Sequence, residues 1–296
     1  ARMAVRASRQ AGIQRRVIAA SRFSDGSLPA RLQAWGVETM ACDLLDEEAV
    51  ARLPEAANVI FMTGMKFGAS RNPAMTWAMN CYAPALVCRR FRHSRMVAFS
   101  SGNVYPLVSL DSGGSKEADE PGPIGEYAIT VLGRERTFQY FSDRYQIPTA
   151  LLRLNYATEM RYGVLVDIAQ DVLAEREVDL TTPMFNVIWQ GDANAMTLAA
   201  LAHAANPPRI INIAGPAFLR VRDVAEQFGR LMNKPVRFAG QEGSRAYLNN
   251  GSEGHRLLGN VSVDAETMIR WTADWVQRGG ESLGKPTHFQ VRSGKF

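Results

Sequence analysis

Cysteine, histidine and long apolar runs are scarce in this chain of 296 residues. Its three cysteines form no CxxC pair, and its four histidines are scattered without the spacing of a metal site. No apolar run approaches the ~18 residues of a membrane-spanning helix, and the charged start ARMAVRASRQ contains no signal-peptide core. We therefore predict a reduced, cytoplasmic protein that binds no metal and contacts no membrane.

No region of the sequence concentrates charge of one sign. Lysine and arginine number 34 against 29 aspartates and glutamates, which gives a net charge of +5. A nucleic-acid-binding protein gathers its basic residues into a patch, whereas here they are spread along the chain. A mildly basic enzyme with an anionic substrate has the same balance, so we predict no nucleic-acid partner.

Short apolar runs alternate with helix-period segments through the first half of the chain. The predicted strands are 15–22, 37–42, 58–64, 95–101 and 149–155, with short ones later at 209–213 and 235–238. The predicted helices are 1–11, 28–35, a short one that Asp46 caps and Pro54 ends, 72–92 and 126–145, followed by others near 161–175, 192–204, 220–232 and 264–278. This alternation indicates βαβ units and an α/β fold built on a parallel sheet.

Two hydroxyl side chains are placed for chemistry at one edge of that sheet. Ser101 ends a strand in the run RMVAFSSGNVYP, and Tyr127 begins the helix GEYAITVLGRER. Ligands of parallel α/β sheets bind outside the carboxyl ends of the strands, where both side chains can reach. The Gly-, Pro- and Ser-rich loop 106–125 separates the two, and such long loops commonly serve function.

These motifs, in this order, resemble the extended short-chain dehydrogenase/reductase family of the NAD-dependent epimerase/dehydratase type. The run Ser100–Tyr105 resembles its SSxxVY signature, and Arg153 with Asn155 resembles its RxxN with one residue fewer. The segment INIAGPAFLRVRDVAEQF at 211–228 resembles its strand-then-helix segment. The resemblance implies a doubly wound, Rossmann-type parallel sheet in a dinucleotide-binding domain at 1–180. It also implies a smaller α/β substrate lobe at 181–296, interleaved with the last strands of the first domain.

The resemblance further implies roles for individual residues. Tyr127 is the acid/base that exchanges a proton as hydride moves to or from the cofactor, and Ser101 hydrogen-bonds the reacting hydroxyl. Cofactor contacts are expected at Arg22, Asp43, Leu44, Thr63, Gly64, Asn80 and Arg134. Substrate contacts are expected at Asn103, Asn155, Arg161 and Trp189.

The expected cofactor is NAD or NADP. Arg22 ends the strand 15–22, where an arginine accommodates the 2′-phosphate of NADP, whereas nearby Asp25 keeps NAD open.

Two features depart from the family pattern. No GxxGxxG loop follows a strand, and residues 1–11 are typical of the later part of the helix after such a loop, so we expect a few tens of N-terminal residues to be missing. The family's YxxxK motif also lacks its lysine, because Val131 lies four residues after Tyr127. In the family that cation favours ionisation of the tyrosine. Arg134, on the same helix face as Tyr127, is one candidate to replace it.

Gly102 and Asn103 narrow the expected reaction. Sugar-nucleotide dehydratases of the family have Asp and Glu at these positions, so dehydration is disfavoured. The sequence therefore predicts an NAD(P)-dependent epimerase or dehydrogenase for a sugar, sugar acid or sugar nucleotide, and a homodimer as is common in this fold. Val131 and the missing glycine loop leave open a second interpretation, a catalytically degenerate binding or regulatory protein on the same fold.

Overall fold

A parallel sheet of four strands forms the centre of the structure, a computed structural model that describes residues 1–294. The strands are β1 (Ile18–Ser21), β2 (Glu38–Ala41), β3 (Asn58–Phe61), β4 (Arg95–Ser101), β5 (Val108–Ser109), β6 (Thr149–Leu154), β7 (Ala157–Thr158), β8 (Glu177–Asp179), β9 (Met184–Phe185), β10 (Ile188–Trp189), β11 (Arg209–Ile213), β12 (Leu219–Arg220), β13 (Arg237–Ala239) and β14 (Arg245–Ala246). The strand order in the central sheet is β11-β6-β4-β3, and β1 and β2 form a separate parallel pair.

Helices cover the sheet and build most of the second lobe. They are α1 (Arg2–Gln10), α2 (Leu28–Ala34), α3 (Glu47–Ala51), α4 (Pro73–Trp77), α5 (Ala83–Arg90), α6 (Gly125–Tyr145), α7 (Val164–Leu173), α8 (Gln190–Ala199), α9 (Val221–Met232), α10 (Ser252–Leu258) and α11 (Ala265–Gln277). A π-helical stretch, Ala78–Tyr82, joins α4 to α5, so the predicted helix 72–92 runs on with one widened turn.

Burial explains why the central strands are apolar along their whole length. In β4 and β6 nearly every residue is buried, because helices cover both faces of a parallel sheet. The predicted α/β fold with a parallel sheet is therefore confirmed. The predicted short strands 209–213 and 235–238 correspond to β11 and β13, whereas β7–β10, β12 and β14 were not predicted, since two or three residues carry no readable periodicity.

The second lobe has its own apolar core. Buried side chains of α7, α9 and α11 meet there, with Phe228 fully buried near the centre. The strand β11, from the second half of the chain, pairs with β6 in the central sheet. The chain therefore crosses between the two cores, and the division at residue 180 stays a prediction.

In the part of the chain that the structure describes, no helix is long and apolar enough to cross a membrane. Nor do residues 1–294 hold a group of three or more His, Cys, Asp or Glu side chains placed to bind a metal ion.

Candidate active site

Ser101 is the last residue of β4 and is buried at the carboxyl edge of the sheet. Its Oγ accepts a hydrogen bond from the Asn103 backbone N–H at 3.2 Å and donates to Asn103 Oδ1 at 3.3 Å. These bonds cap the 3₁₀ turn Gly102–Val104, which ends the strand. The turn therefore fixes both Ser101 and Asn103 at the edge where ligands of parallel sheets bind.

Tyr127 lies in the first turn of α6 and is partly exposed. Its ring packs against the small cluster formed by buried Val104, Tyr105 and Val131. Two members of that cluster belong to the segment that directly follows Ser101. The structure thus packs the helix-borne tyrosine against the segment that follows the strand-end serine, although 25 residues of chain separate Ser101 from Tyr127.

A buried ion pair holds the three elements behind this site together. Arg153 of β6 donates from Nε and from a terminal nitrogen to Glu135 of α6, at 2.9 and 2.8 Å. The Ser100 hydroxyl of β4 donates to the same carboxylate, and the Arg153 guanidinium lies 4.6 Å from the centre of the Tyr105 ring. Both charged side chains are almost fully buried, so their geometry sets how α6 sits on the sheet.

Asn80 connects the loop after β3 to α6. Its side chain accepts from Met65 N–H at 2.9 Å and donates to Met65 O at 3.1 Å, and it also donates to Thr130 Oγ1 at 2.8 Å. The Thr130 hydroxyl in turn donates to Tyr127 O at 2.9 Å. The predicted contact residue Asn80 therefore positions the loop that follows Thr63.

Arg134 is buried against the same loop. It donates to Phe99 O at 2.9 Å and to Asn80 O and Oδ1. A Cβ atom at Gly64 would lie 2.1 Å from the Arg134 guanidinium, so this position has room only for glycine. Burial lowers the pKa of Arg134, with the neighbouring Tyr127 acting in the opposite direction. Arg134 thus braces the sheet, the loop and α6, and its contact with a cofactor stays a prediction.

Lys66, which no sequence motif singled out, lies beside Tyr127. Its Nζ is 6.0 Å from the centre of the Tyr127 ring and donates to Thr287 O at 3.3 Å. Burial lowers the pKa of Lys66 to about 8, partly offset by the nearby Asp167 carboxylate. The available sequence signal was a lysine two residues after the small-residue turn Thr63-Gly64.

The C-terminal segment, residues 283–294, forms one wall of the site. Asp167 of α7 accepts hydrogen bonds from the Thr287 backbone N–H and hydroxyl at 2.8 and 2.6 Å. Phe289 is buried with its ring centre 5.9 Å from that of Phe185. The backbone of Gly294 touches the start of α6, where a Cβ atom at Gly125 would be 2.4 Å from its carbonyl oxygen.

The expected adenine-side residues lie at the ends of the separate strand pair. Arg22 directly follows β1 and is exposed. Asp43 follows β2, where its carboxylate accepts from Leu45 N–H at 3.0 Å, and Leu44 is buried beside it. All three residues follow the carboxyl ends of the parallel strands β1 and β2, just as Ser101 lies at the carboxyl end of β4 in the central sheet.

Three predicted substrate contacts have other partners in the structure. Asn155 is buried and donates to Asn186 Oδ1 at 2.8 Å. Trp189 makes an edge-to-face contact with Trp271, at 5.7 Å between ring centres. Arg161 forms ion pairs with Glu159 at 2.8 Å and Glu281 at 3.8 Å. Asn186, Trp271 and Glu281 come from the region 181–296, and a substrate role for the three residues stays a prediction.

Gly102 has no space for a side chain. A Cβ atom there would lie 2.6 Å from Oδ1 of Asn249, a buried residue whose amide oxygen and nitrogen have no hydrogen-bond partner within residues 1–294. An aspartate at position 102 would therefore displace Asn249. The absence of a dehydratase-type acid at this position is thus built into the packing behind Ser101.

Comparison with known proteins places this fold in the Rossmann-type class. UDP-glucose 4-epimerase from Thermotoga maritima, solved with UDP-glucose, superposes with a TM-score of 0.77 at 17% identity, over 94% of this chain and 95% of that one. The Thermus thermophilus UDP-glucose 4-epimerase solved with NAD gives 0.75 at 18% identity, over 94% and 95%. RMD from Pseudomonas aeruginosa, solved with NADPH, gives 0.69 at 18% identity, over 89% and 100%.

The family model "NAD dependent epimerase/dehydratase family" matches residues 2–214. The chain belongs to this family of enzymes, which confirms the predicted family, the Rossmann-type fold and the nicotinamide-dependent enzyme class. A comparison with curated protein sequences found no match. At 14–18% identity the structural neighbours establish the fold alone, so roles of single residues rest on the geometry above.

Proposed function

We propose that this chain is an NAD(P)-dependent epimerase or dehydrogenase that acts on a sugar, sugar acid or sugar nucleotide. The observation that carries the proposal is the packing of Tyr127 against Val104 and Tyr105, in the segment that follows Ser101 at the carboxyl edge of the sheet. Structural neighbours solved with UDP-glucose, NAD and NADPH support the substrate and cofactor classes.

The two hydroxyl groups divide the proton chemistry between them. Ser101 Oγ orients the reacting hydroxyl, and Tyr127 Oη takes up its proton or returns it. A nicotinamide supplies the hydride chemistry when bound. The segment 283–294 and the buried Phe289 limit water on one side of the site, which favours hydride transfer over side reactions.

The residues present fit both ends of a dinucleotide. Ser101 and Tyr127 suit the nicotinamide end, Asp43 and Leu44 suit the adenine end, and Thr63 lies on the loop between them. The exposed Arg22 favours NADP over NAD, since its guanidinium is available for a 2′-phosphate.

Calorimetry with NAD and with NADP tests the cofactor assignment. It should be run on this chain and on a version with any upstream residues that its gene encodes. In Arg22→Ala, affinity for NADP should fall about 10- to 100-fold while affinity for NAD holds, since a charge-assisted hydrogen bond is worth about 1.5–3 kcal/mol.

The packing at Gly102 favours epimerisation or simple oxidation over water loss. Asn103 is the substrate contact that the geometry supports best, because it is hydrogen-bonded to Ser101. Asn155, Arg161 and Trp189 are proposed as more distant substrate contacts.

Turnover of a sugar-nucleotide panel tests the activity, with NAD(P)H absorbance for oxidation and NMR for epimerisation. Tyr127→Phe should lose at least about 100-fold in rate, the usual contribution of a positioned acid/base. The matched control Tyr140→Phe, on the exposed side of α6, should keep its rate.

A catalytically degenerate binding protein is the second candidate, and buried Val131 in place of the lysine is the observation that favours it. Tight dinucleotide binding without turnover of any sugar nucleotide would select this function. Absence of dinucleotide binding in every version tested would refute both.

We also propose a homodimer formed through α6 and the neighbouring π-helical segment. Ile129 and Tyr140 on α6 are exposed apolar residues, as are Trp77 and Tyr82 beside them. Tyr140→Glu should raise the dimer dissociation constant at least about 30-fold, as expected for a central aromatic residue. Leu231→Glu, at another exposed apolar residue but on α9, is the control, and light scattering measures both. We propose a cytoplasmic location from the free thiols of Cys42, Cys81 and Cys88.

A further inference from the structure

Two observations leave the site of Tyr127 with an unusual charge arrangement. The position four residues after Tyr127 holds Val131, which is buried in the apolar cluster behind Ser101. A lysine from a different element, Lys66 of the loop after β3, instead lies beside the Tyr127 ring. We propose that Lys66 is the cation partner of Tyr127 and stabilises its phenolate. Lys66, on the loop after β3, thus takes the role that a lysine at position 131 of α6 would have. This inference rests on the role proposed above for Tyr127.

A chain of hydrogen bonds fixes the position of Lys66 relative to Tyr127. The backbone of Met65, the preceding residue, is held on both its N–H and C=O by Asn80. Asn80 also donates to Thr130, whose hydroxyl donates to the carbonyl of Tyr127. The loop and the first turn of α6 are therefore joined through one buried amide.

The packing around Gly64 restricts the loop further. Any side chain at Gly64 would strike the Arg134 guanidinium and the Asn80 amide oxygen. At Gly64, therefore, the loop packs against the Arg134 side chain of α6 with its backbone alone. Lys66, two residues on, is directed to the side on which Tyr127 begins the helix.

The groups that face Lys66 come from several elements. Tyr127 comes from α6, Asp167 from α7, and the Thr287 carbonyl from the C-terminal segment, where His288 follows. Tyr162, before α7, and Arg134, further along α6, also carry charge or a titratable group close to this site. Asp167 favours the ammonium form of Lys66, whereas burial disfavours it, and this balance lowers the pKa of Lys66 to about 8.

Lys66 fits the role better than Arg134, the candidate found from sequence. The Arg134 guanidinium is committed to Phe99 O and to two oxygens of Asn80. The Lys66 ammonium donates to a backbone carbonyl at 3.3 Å and lies near two rings, 5.4 Å from the centre of Phe67 and 6.0 Å from the centre of Tyr127. Lys66 acts through Tyr127 and is therefore a positioning residue.

Ultraviolet absorbance of the phenolate tests the proposal without cofactor or substrate. The absorbance of the chain is followed against pH, and the same titration of Tyr127→Phe is subtracted, which isolates Tyr127. Because the two groups are coupled, the difference curve describes the pair. In Lys66→Met the part of the Tyr127 phenolate that forms while Lys66 is still charged should be lost, so the difference curve should move to higher pH, because a nearby positive charge favours the ionised phenol.

Two further variants separate charge from packing. Lys66→Arg keeps a positive charge through the titration, so its phenolate should form at or below the pH found for the unsubstituted chain. Lys234→Met removes a lysine that pairs with Glu175 in the second lobe, and should leave the curve unchanged. A Lys66→Met curve that coincides with the unsubstituted one would overturn the proposal and leave Arg134 as the cation that acts on Tyr127.

The outcome is independent of the dinucleotide tests above. Failure to bind NAD or NADP would refute the proposed function but would leave the Lys66–Tyr127 coupling measurable. Unchanged phenolate formation with normal turnover would refute only the coupling.

Discussion

The buried pair of Glu135 and Arg153 offers a direct test of how the site is held. The side chains are 0% and 2% exposed and make two parallel hydrogen bonds, and Ser100 donates a third to the carboxylate. Arg153→Met removes the guanidinium and leaves a buried carboxylate with only the Ser100 hydroxyl. Removal of one partner of a buried pair costs about 3–5 kcal/mol, because the remaining charge is uncompensated.

The expected change in melting temperature follows from chain length. An unfolding entropy of about 2.1 cal/mol/K per residue gives about 0.6 kcal/mol/K for 296 residues, so Arg153→Met should lower Tm by about 5–8 °C. Glu135→Leu combined with Arg153→Met should recover most of this loss, since no charge remains buried. The matched control is Arg256→Met, whose pair with Glu253 is largely exposed and is worth less than about 1 kcal/mol.

The measurement is calorimetric unfolding of five proteins: the unsubstituted chain, Arg153→Met, Glu135→Leu, the double variant and Arg256→Met. The reasoning fails if Arg153→Met unfolds within 1–2 °C (about 1 kcal/mol) of the unsubstituted chain. It also fails if the double variant is less stable than the sum of its two single variants.

Three smaller predictions follow from the same structure. Burial raises the pKa of Tyr105 to about 12, so its contribution to stability is full below pH ~10 and is lost toward pH 12. Denaturation at pH 9–11.5 should therefore show a loss that is steeper in the chain than in Tyr105→Phe, by at most about 1.4 kcal/mol per pH unit, since burial also raises the pKa of Tyr156 and Tyr247 in both proteins. Gly102→Ala should cost about 1–3 kcal/mol by overpacking against Asn249, and Gly102→Ala in an Asn249→Ala background should cost clearly less, as measured by denaturant unfolding. Asp167→Asn should raise hydrogen exchange in residues 284–291 more than tenfold, since both hydrogen bonds to Thr287 lose a charged acceptor; unchanged exchange would show that Phe289 alone docks the segment.

Local sequence signals identified the parts of the fold that repeat a pattern over several residues. The runs RMVAFSS and TALLRL predicted β4 and β6 because buried parallel strands are apolar on both faces. Asp46 predicted the start of α3, where its carboxylate accepts from Ala49 N–H. Ser101 and Tyr127 were predicted as a pair because each ends or begins such an element.

The short strands β7–β10 and helix α10 escaped prediction because their stability comes from tertiary contacts. A two-residue strand has no periodicity, and it forms only where another part of the chain supplies its hydrogen-bond partners. The same reason hid the contacts of Trp189 with Trp271, which are 82 residues apart in sequence.

By itself, the sequence determined the class of this protein: an α/β enzyme with a hydroxyl pair at the edge of a parallel sheet and no lysine four residues after Tyr127. Only the tertiary structure decided which cation lies beside that tyrosine. Lys66 and Tyr127 are 61 residues apart, and no spacing rule connects a loop after β3 with the first turn of α6. Their contact depends on the buried amide of Asn80, the close packing at Gly64 and the C-terminal segment, three features from separate parts of the chain that come together only when the core forms.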